Sequence, residues 1–231
     1  MDHLSRYDDN HIHSSATTKE LTNMKIAVIG TGNMGAGLAR LLAATGYDLV
    51  IGHRDPATAA SFAAELGKNI EAGGIAAAAK LADIIILALP YGAVAEALKE
   101  AGNLKGKVLV DISNPVTADL RGLVVGHSTS AAEEIQALAP GATVIKAFNT
   151  IFAQLLPLEA RKGKTVQVFV AGDDEKAKGA VSRFVNAAGF EAVDAGPLSN
   201  ARFIEPIGEM NIHFGFFLGK GPSVAPAWVQ L

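Results

Sequence analysis

Apolar positions in this chain fall in short, nearly unbroken runs rather than in the alternation of a sheet wetted on one face. Ile26–Ile29, Leu49–Ile51, Ile84–Leu89 and Lys107–Ile112 are the clearest. Strands buried on both faces of a parallel sheet read this way. Segments of helical character separate them. One follows the glycines at 30, 32 and 35. A second runs through Ala57 to Leu66, with Asp55 as its N-cap, Pro56 in its first turn and Gly67 closing it. A short third strand is expected at Asn69–Ala72, then a small-residue helix to about Lys80 and another from about Gly92 to Ala101. Strand, helix, strand with right-handed crossovers predicts an α/β chain built on a doubly wound parallel sheet.

Past residue 112 the pattern loosens. Ser130-Ala-Ala-Glu133 reads as a capping box opening a helix to about Leu138, and Ala142–Phe148 as a sixth strand. Thr165–Ala171 is a further strand. The Gly172-Asp173-Asp174 turn starts a helix to Ala188, and Phe190–Asp194 is a last strand. Leu198–Lys220 suits a helix kinked by Pro206, with an irregular tail from Gly221.

The stretch with the most chemistry is Lys25-Ile-Ala-Val-Ile-Gly-Thr-Gly-Asn-Met-Gly-Ala-Gly-Leu-Ala-Arg40. It is G-x-G-x-x-G between a strand and a helix, the setting a dinucleotide-binding turn requires. Gly30 permits the sharp turn, Gly32 leaves room for a pyrophosphate, and Gly35 lets the helix pack closely on the strand. The free N–H groups and positive end of that helix then face the phosphates. The expectation is an NAD(P)-binding Rossmann domain over 24–148. An extension, 1–23, precedes it, and a smaller acceptor-binding and dimerisation region follows at 149–231.

An NAD-preferring fold carries an acidic residue at the end of its second strand, for the ribose 2′-hydroxyl. Here that neighbourhood is Leu49-Val-Ile-Gly-His-Arg54, with no carboxylate before Asp55. Arg54 can make a bidentate contact to a 2′-phosphate, and His53 and Thr31 can add donors. That favours NADP(H). The alternative leaves Arg54 in solvent and puts Asp55 on the ribose.

Composition narrows the partners. Of 231 residues 49% are apolar and 19% charged, enough for a packed core, and a net charge of −3 without a basic stripe disfavours nucleic acid and anionic membrane. The absence of cysteine excludes disulfides, thiolate metal sites and a Cys nucleophile, and fits a reducing cytoplasm. The polar first 23 residues, with His3, His11 and His13, lack the apolar stretch of a signal peptide and read as a mobile extension. No apolar run is long enough to cross a bilayer.

Other candidates have plainer readings. Gly126-His-Ser-Thr-Ser130 lacks the last glycine of a nucleophile elbow and leads into the capping box. Asp173-Asp174 suits an N-cap better than a metal. Glu205 and Glu209, one turn apart, suit a solvated helix face. His213 fits the core or an acceptor contact; Phe214, Phe216 and Phe217 fit core or dimer packing. No catalytic acid, base, nucleophile or metal ligand stands out.

Several segments together resemble one family. GTGNMG, GHR at 52–54, ALP at 88–90, DISNP at 111–115, KAFNT at 146–150, AGDD at 171–174 and DAGPLSNAR at 194–202 occur in the order seen in the coenzyme F-420-dependent NADP oxidoreductase family. The chain is also similar to the cytosolic reductase domain of the six-transmembrane metalloreductases. The resemblance implies hydride transfer between NADPH and a flavin (FMN or FAD) or deazaflavin, the small acceptor being its partner. A cytoplasmic homodimer is expected on other grounds, since the final helix would leave Phe, Ile and Leu exposed on a monomer. The resemblance also implies that Gly30, Thr31, Gly32, Asn33, Met34 and Arg54 hold the NADP phosphates and ribose, and that Leu89-Pro90 and Asn114-Pro115 lie beside the nicotinamide ribose. Asn149-Thr150-Ile151, Pro197-Leu198-Ser199-Asn200 and the final helix would wall the acceptor pocket. The deazaflavin enzymes carry histidine where this chain has Asn149 and tryptophan where it has Tyr91; KAFN is nearer the metalloreductase form, whose acceptor is a flavin.

Two other functions compete. A carbonyl or imine reductase of the β-hydroxyacid dehydrogenase type needs a Lys four residues before an Asn, which neither Asn186 nor Asn211 has. A non-catalytic NADP-binding module would carry the same cofactor motif.

Overall fold

The computed structural model describes residues 24–231; the expectations for the N-terminal extension and its histidines lie outside them. Six strands form the main sheet: β1 Lys25–Ile29, β2 Asp48–Gly52, β3 Glu71–Gly73, β4 Ile84–Leu87, β5 Val108–Asp111 and β6 Thr143–Lys146. All neighbours are parallel, in the order β3-β2-β1-β4-β5-β6. This is the doubly wound sheet the apolar runs predict, with its topological switch between β1 and β4. The third strand begins two residues later than expected because β2 sets its register: Val50 pairs with Glu71 and Gly52 with Gly73.

Crossover helices cover both faces. They are α1 Asn33–Ala44, α2 Pro56–Leu66, α3 Ile75–Leu81, α4 Tyr91–Ala101 and α5 Ala131–Leu138. Successive residues of β1 feed opposite cores, since side chains alternate along a strand. Ile26 and Val28 pack with Leu38, Leu42 and Phe62 of α1 and α2. Ala27 and Ile29 pack with Ile75, Val94, Leu98 and Ile135 of α3, α4 and α5.

The chain then adds a second parallel pair, β7 Gln167–Val170 and β8 Glu191–Asp194, joined by α6 Glu175–Ala187. An antiparallel bridge from Lys146 to Ala171 hooks β7 onto β6. The expected sixth strand stops at Lys146 because Phe148 turns to φ 60°, a left-handed conformation that bulky residues rarely adopt. Packing holds it there: its buried ring stacks on Phe184 and meets Phe190 edge-on, both at 5.7 Å. The last helix, α7 Ala201–Ile212, carries Pro206 inside it and widens into a π-helical turn over His213–Phe217.

Candidate functional site

The glycine motif folds into the turn between β1 and α1, at the switch point. Gly30 has φ 103°, and a Cβ there would meet the Ala88 carbonyl oxygen at 2.4 Å. At Gly35 a Cβ would lie 2.0 Å from the Gly30 carbonyl oxygen, so any side chain would push α1 off the turn. Gly32 differs. A Cβ there would touch nothing within 4 Å, and the residue is the N-cap of α1 with no side chain to close the helix end. The first turn of α1 also lacks an acidic residue. Its free N–H groups therefore open onto space, which is the electrostatic requirement for an anion.

That space is a cleft of about 580 Å³. Seven of the expected cofactor residues line it: Gly30, Thr31, Gly32, His53, Arg54, Leu89 and Pro90. Asn33 opens α1 on its exposed side, Met34 is half-buried against the core, and Gly35 is buried beneath the turn. Ile75, Ala93, Glu96, Ala97 and Glu100, from the faces of α3 and α4, also line the cleft and were not anticipated. Nothing in the glycine motif points to them, because α4 starts 55 residues or more beyond it.

Asp55 is engaged elsewhere. One carboxylate oxygen accepts from Ala57 N–H at 3.0 Å and the other from the Thr58 hydroxyl at 2.7 Å. These bonds, the Thr58 bond first, hold its carboxyl below the usual range. His53 Nδ1 lies 3.0 Å from the Asp55 N–H and 3.2 Å from the Asp55 carbonyl oxygen, so the ring is tied to this turn in either tautomer. The cleft is lined by Arg54 and His53 and not by Asp55. The fold thus gives the acidic residue a capping role and leaves the guanidinium on the rim.

A second constellation lies at the ends of β5 and β6. Lys146, Asp111 and Glu205 are fully or almost fully buried, and Lys146 Nζ lies 2.8 Å from a carboxylate oxygen of each acid. Lys146 also donates to the Ser113 carbonyl at 2.6 Å, while Asp111 Oδ1 accepts from the Ser113 N–H and hydroxyl. Glu205 closes the N-terminus of α5, accepting from Ala131 N–H at 2.9 Å and Ala132 N–H at 3.2 Å. The solvated face expected for Glu205 is therefore wrong. Three buried charges need every partner satisfied, and this carboxylate supplies bonds to two elements at once.

The capping box forms only in part. Ser130 Oγ accepts from Glu133 N–H, but the Glu133 carboxylate turns to the Ser130 hydroxyl and to Arg202. Arg202 and the Ser130 hydroxyl hold the Glu133 carboxyl below its ordinary range. Tyr91 donates its hydroxyl to Glu134; burial first, and that bond second, push its pKa up. Asp174 caps α6 as expected, while Asp173 accepts from Leu198 N–H.

The clamp on Ser113 fixes the residue that follows it. Asn114 and Asn149 exchange bonds: Asn114 Nδ2 donates to the Asn149 carbonyl at 2.7 Å and Asn149 Nδ2 to Asn114 Oδ1 at 2.8 Å. Gly208 of α7 rests on this pair, and a Cβ there would come within 2.6 Å of Asn114 Oδ1. Pro115, Thr150 and Ile151 are buried beside it. His213 lies one turn beyond Glu209, with Nε2 3.2 Å from its carboxylate and its ring 4.9 Å from Phe217. Pro197–Asn200 leads into α7 beside the end of β6. Leu198 is buried in the core cluster of Ala132, Ile135 and Val144, and Asn200 donates to the Ala195 carbonyl.

The family model described as NADP oxidoreductase, coenzyme F420-dependent, matches residues 25–115. The F420-dependent NADP reductase of Methanothermobacter marburgensis is 36% identical over 202 residues, covering 80% of this chain and 89% of the relative. Metalloreductase STEAP3 of Rattus norvegicus is 32% identical over 183 residues, 79% of this chain, which spans only 36% of that protein. A crystal structure of a candidate F420-dependent NADP reductase from Arthrobacter sp. FB24 is 32% identical. It superposes with a TM-score of 0.77, covering 85% of this chain and 96% of the other.

Proposed function

The chain belongs to the coenzyme F420-dependent NADP oxidoreductase family, and on that premise we propose that it moves hydride between NADP(H) and a flavin or deazaflavin ring. One observation carries the reading: an uncapped helix N-terminus and an exposed arginine open onto the same cleft at the switch point of the sheet. The residues fit the dinucleotide. Gly32 and the first turn of α1 offer N–H groups to a pyrophosphate, and Arg54 with His53 offers a fork and a ring donor to a 2′-phosphate. Asp55 caps the next helix with both oxygens and does not line the cleft.

Held there, NADPH would supply a hydride to the acceptor ring, which would take up one proton from water. What the protein contributes is alignment and exclusion of water, so no acid, base or metal is required of it. The clamped Asn114–Asn149 pair under Gly208 is the rigid wall this demands. Anaerobic mixing of the protein with NADPH and FMN, FAD or a deazaflavin tests the proposal. Reduction of at least one acceptor is expected, with one NADPH consumed per ring. Tight NADP⁺ binding with none of the three reduced would leave a nucleotide-binding module.

The same reading extends to assembly. Phe203, Met210, Phe214 and Phe217 follow one stripe of the last helix and remain 68%, 47%, 42% and 37% exposed. A second copy packing this stripe against its own would bury it about a two-fold axis. Light scattering at dimer mass, falling to monomer mass for Phe203→Glu with Phe214→Glu, is the expected result. Among the described residues no helix is long and apolar enough to cross a membrane.

A further inference from the structure

Charges of both signs line the cofactor cleft without meeting. Arg54 stands on the loop after β2, and Glu96 and Glu100 stand one turn apart on the exposed face of α4. Among the described residues neither glutamate takes part in an ion pair, with Arg54 or with any other cation. The two acids do nothing for their own helix. Like charges four residues apart repel, and Glu100 lies in the last turn, where the helix dipole disfavours an anion. Ala93 and the buried Ile75 and Ala97 line the same cleft and add an apolar surface.

The order of these groups along the cleft follows from the fold. Leu89 adjoins the glycine turn, since a Cβ on Gly30 would come within 3.0 Å of Leu89 Cδ2. Pro90 then leads into α4. At the rise of a helix, Glu96 lies about 9 Å and Glu100 about 15 Å along the axis from Pro90. The glycine turn is at one end of this wall and the two carboxylates are toward the other. A dinucleotide with its phosphates at Gly32 and its 2′-phosphate at Arg54 would turn its base toward α3 and α4.

A carboxylate can only accept hydrogen bonds. Adenine carries ring acceptors and one donor group, its exocyclic amine. From this we infer that Glu96 and Glu100 select the nucleobase, accepting from the adenine amine with the ring laid against Ile75 and Ala97. The inference rests on the NADP(H) reading and deepens it: the cleft is specific at the base as well as at the 2′-phosphate. A base of the same outline with hydrogen in place of the amine leaves both acceptors facing an apolar edge.

The test is equilibrium binding to the full chain. NADP⁺ is compared with its purine analogue, in which hydrogen replaces the adenine amine and nothing else changes. Both acids keep contact with water, so the analogue should bind the wild type about tenfold more weakly. In the double variant Glu96→Ala with Glu100→Ala that ratio should shrink to within about twofold. Both positions are exposed and alanine is the better helix former, so the variant folds. Removing two charges shifts the affinity for both ligands alike, and the ratio isolates the base contact. Equal binding of the pair by the wild type overturns this inference alone. A ratio that survives in the double variant also overturns it, because the preference then comes from stacking. If neither dinucleotide binds, the NADP(H) reading fails and this inference with it.

Discussion

Two helices of this molecule end in opposite ways. The N-terminus of α5 is closed three times over: Glu205 takes the N–H groups of Ala131 and Ala132, and Ser130 takes that of Glu133. Its first turn carries two further acids, Glu133 and Glu134. The N-terminus of α1 has a glycine at the cap, no acid in the first turn and open space in front. Unmet N–H groups at a helix end demand an anion. The helices that start at Ile75, Tyr91 and Ala201 also lack a side-chain cap and a first-turn acid. What sets α1 apart is that its bare end follows the glycine turn and opens onto the cleft that Arg54 lines.

Breaking the closed end should have the largest effect. Glu205→Ala leaves the Lys146 ammonium to Asp111 and the Ser113 carbonyl and strands two helix N–H groups, and should cost about 2–4 kcal/mol of stability in urea unfolding. A loss under about 1 kcal/mol would mean the buried network is not the tie between α7 and the sheet. Closing the open end should do the reverse. Gly32 has φ −68°, ψ −177°, a conformation that aspartate adopts freely as an N-cap. Gly32→Asp should leave stability unchanged or raised by a few tenths of a kcal/mol, while NADP⁺ affinity falls about a hundredfold. Calorimetry alongside ligand titration checks both halves; retained affinity would remove the open end from the binding site.

The smallest effect sharpens the comparison through pH. Arg202 and the Ser130 hydroxyl depress the Glu133 carboxyl, so its contribution is present above the ordinary glutamate pKa of about 4.3. It is lost as pH falls through the lower, folded-state value. Thermal melts of wild type and Glu133→Gln should therefore differ near neutrality and converge in acid. A gap that persists or widens in acid would contradict the assignment.

How much of this was legible follows from sequence distance. The open end is local, glycine motif and helix within fifteen residues, and so are the Asp55-Pro56 cap and its closing Gly67. The closed end is not. Glu205 bonds residues 59, 73 and 74 positions away, and its spacing to Glu209 matches a solvated face. A buried carboxylate looks like an exposed one until its partners are known. Lys146 stood inside a recognisable segment, yet only the topology brings it between Asp111 and Glu205. The α3 and α4 wall of the cleft was hidden for the same reason, since Ile75 and Ala97 read as core residues of their own helices. Pro197–Asn200 carries a structural role its motif did not announce: it starts a helix and places Leu198 in the core.

The central claim, that the open helix end and Arg54 together seat NADP(H), is tested most directly by calorimetric titration of NADP⁺ and NAD⁺ into wild type and Arg54→Glu. Wild type should bind NADP⁺ at least tenfold more tightly, and the substitution should weaken NADP⁺ by about thirtyfold or more, roughly 2 kcal/mol, while sparing NAD⁺. Equal affinities in the wild type, or equal losses for both nucleotides in the variant, would contradict it.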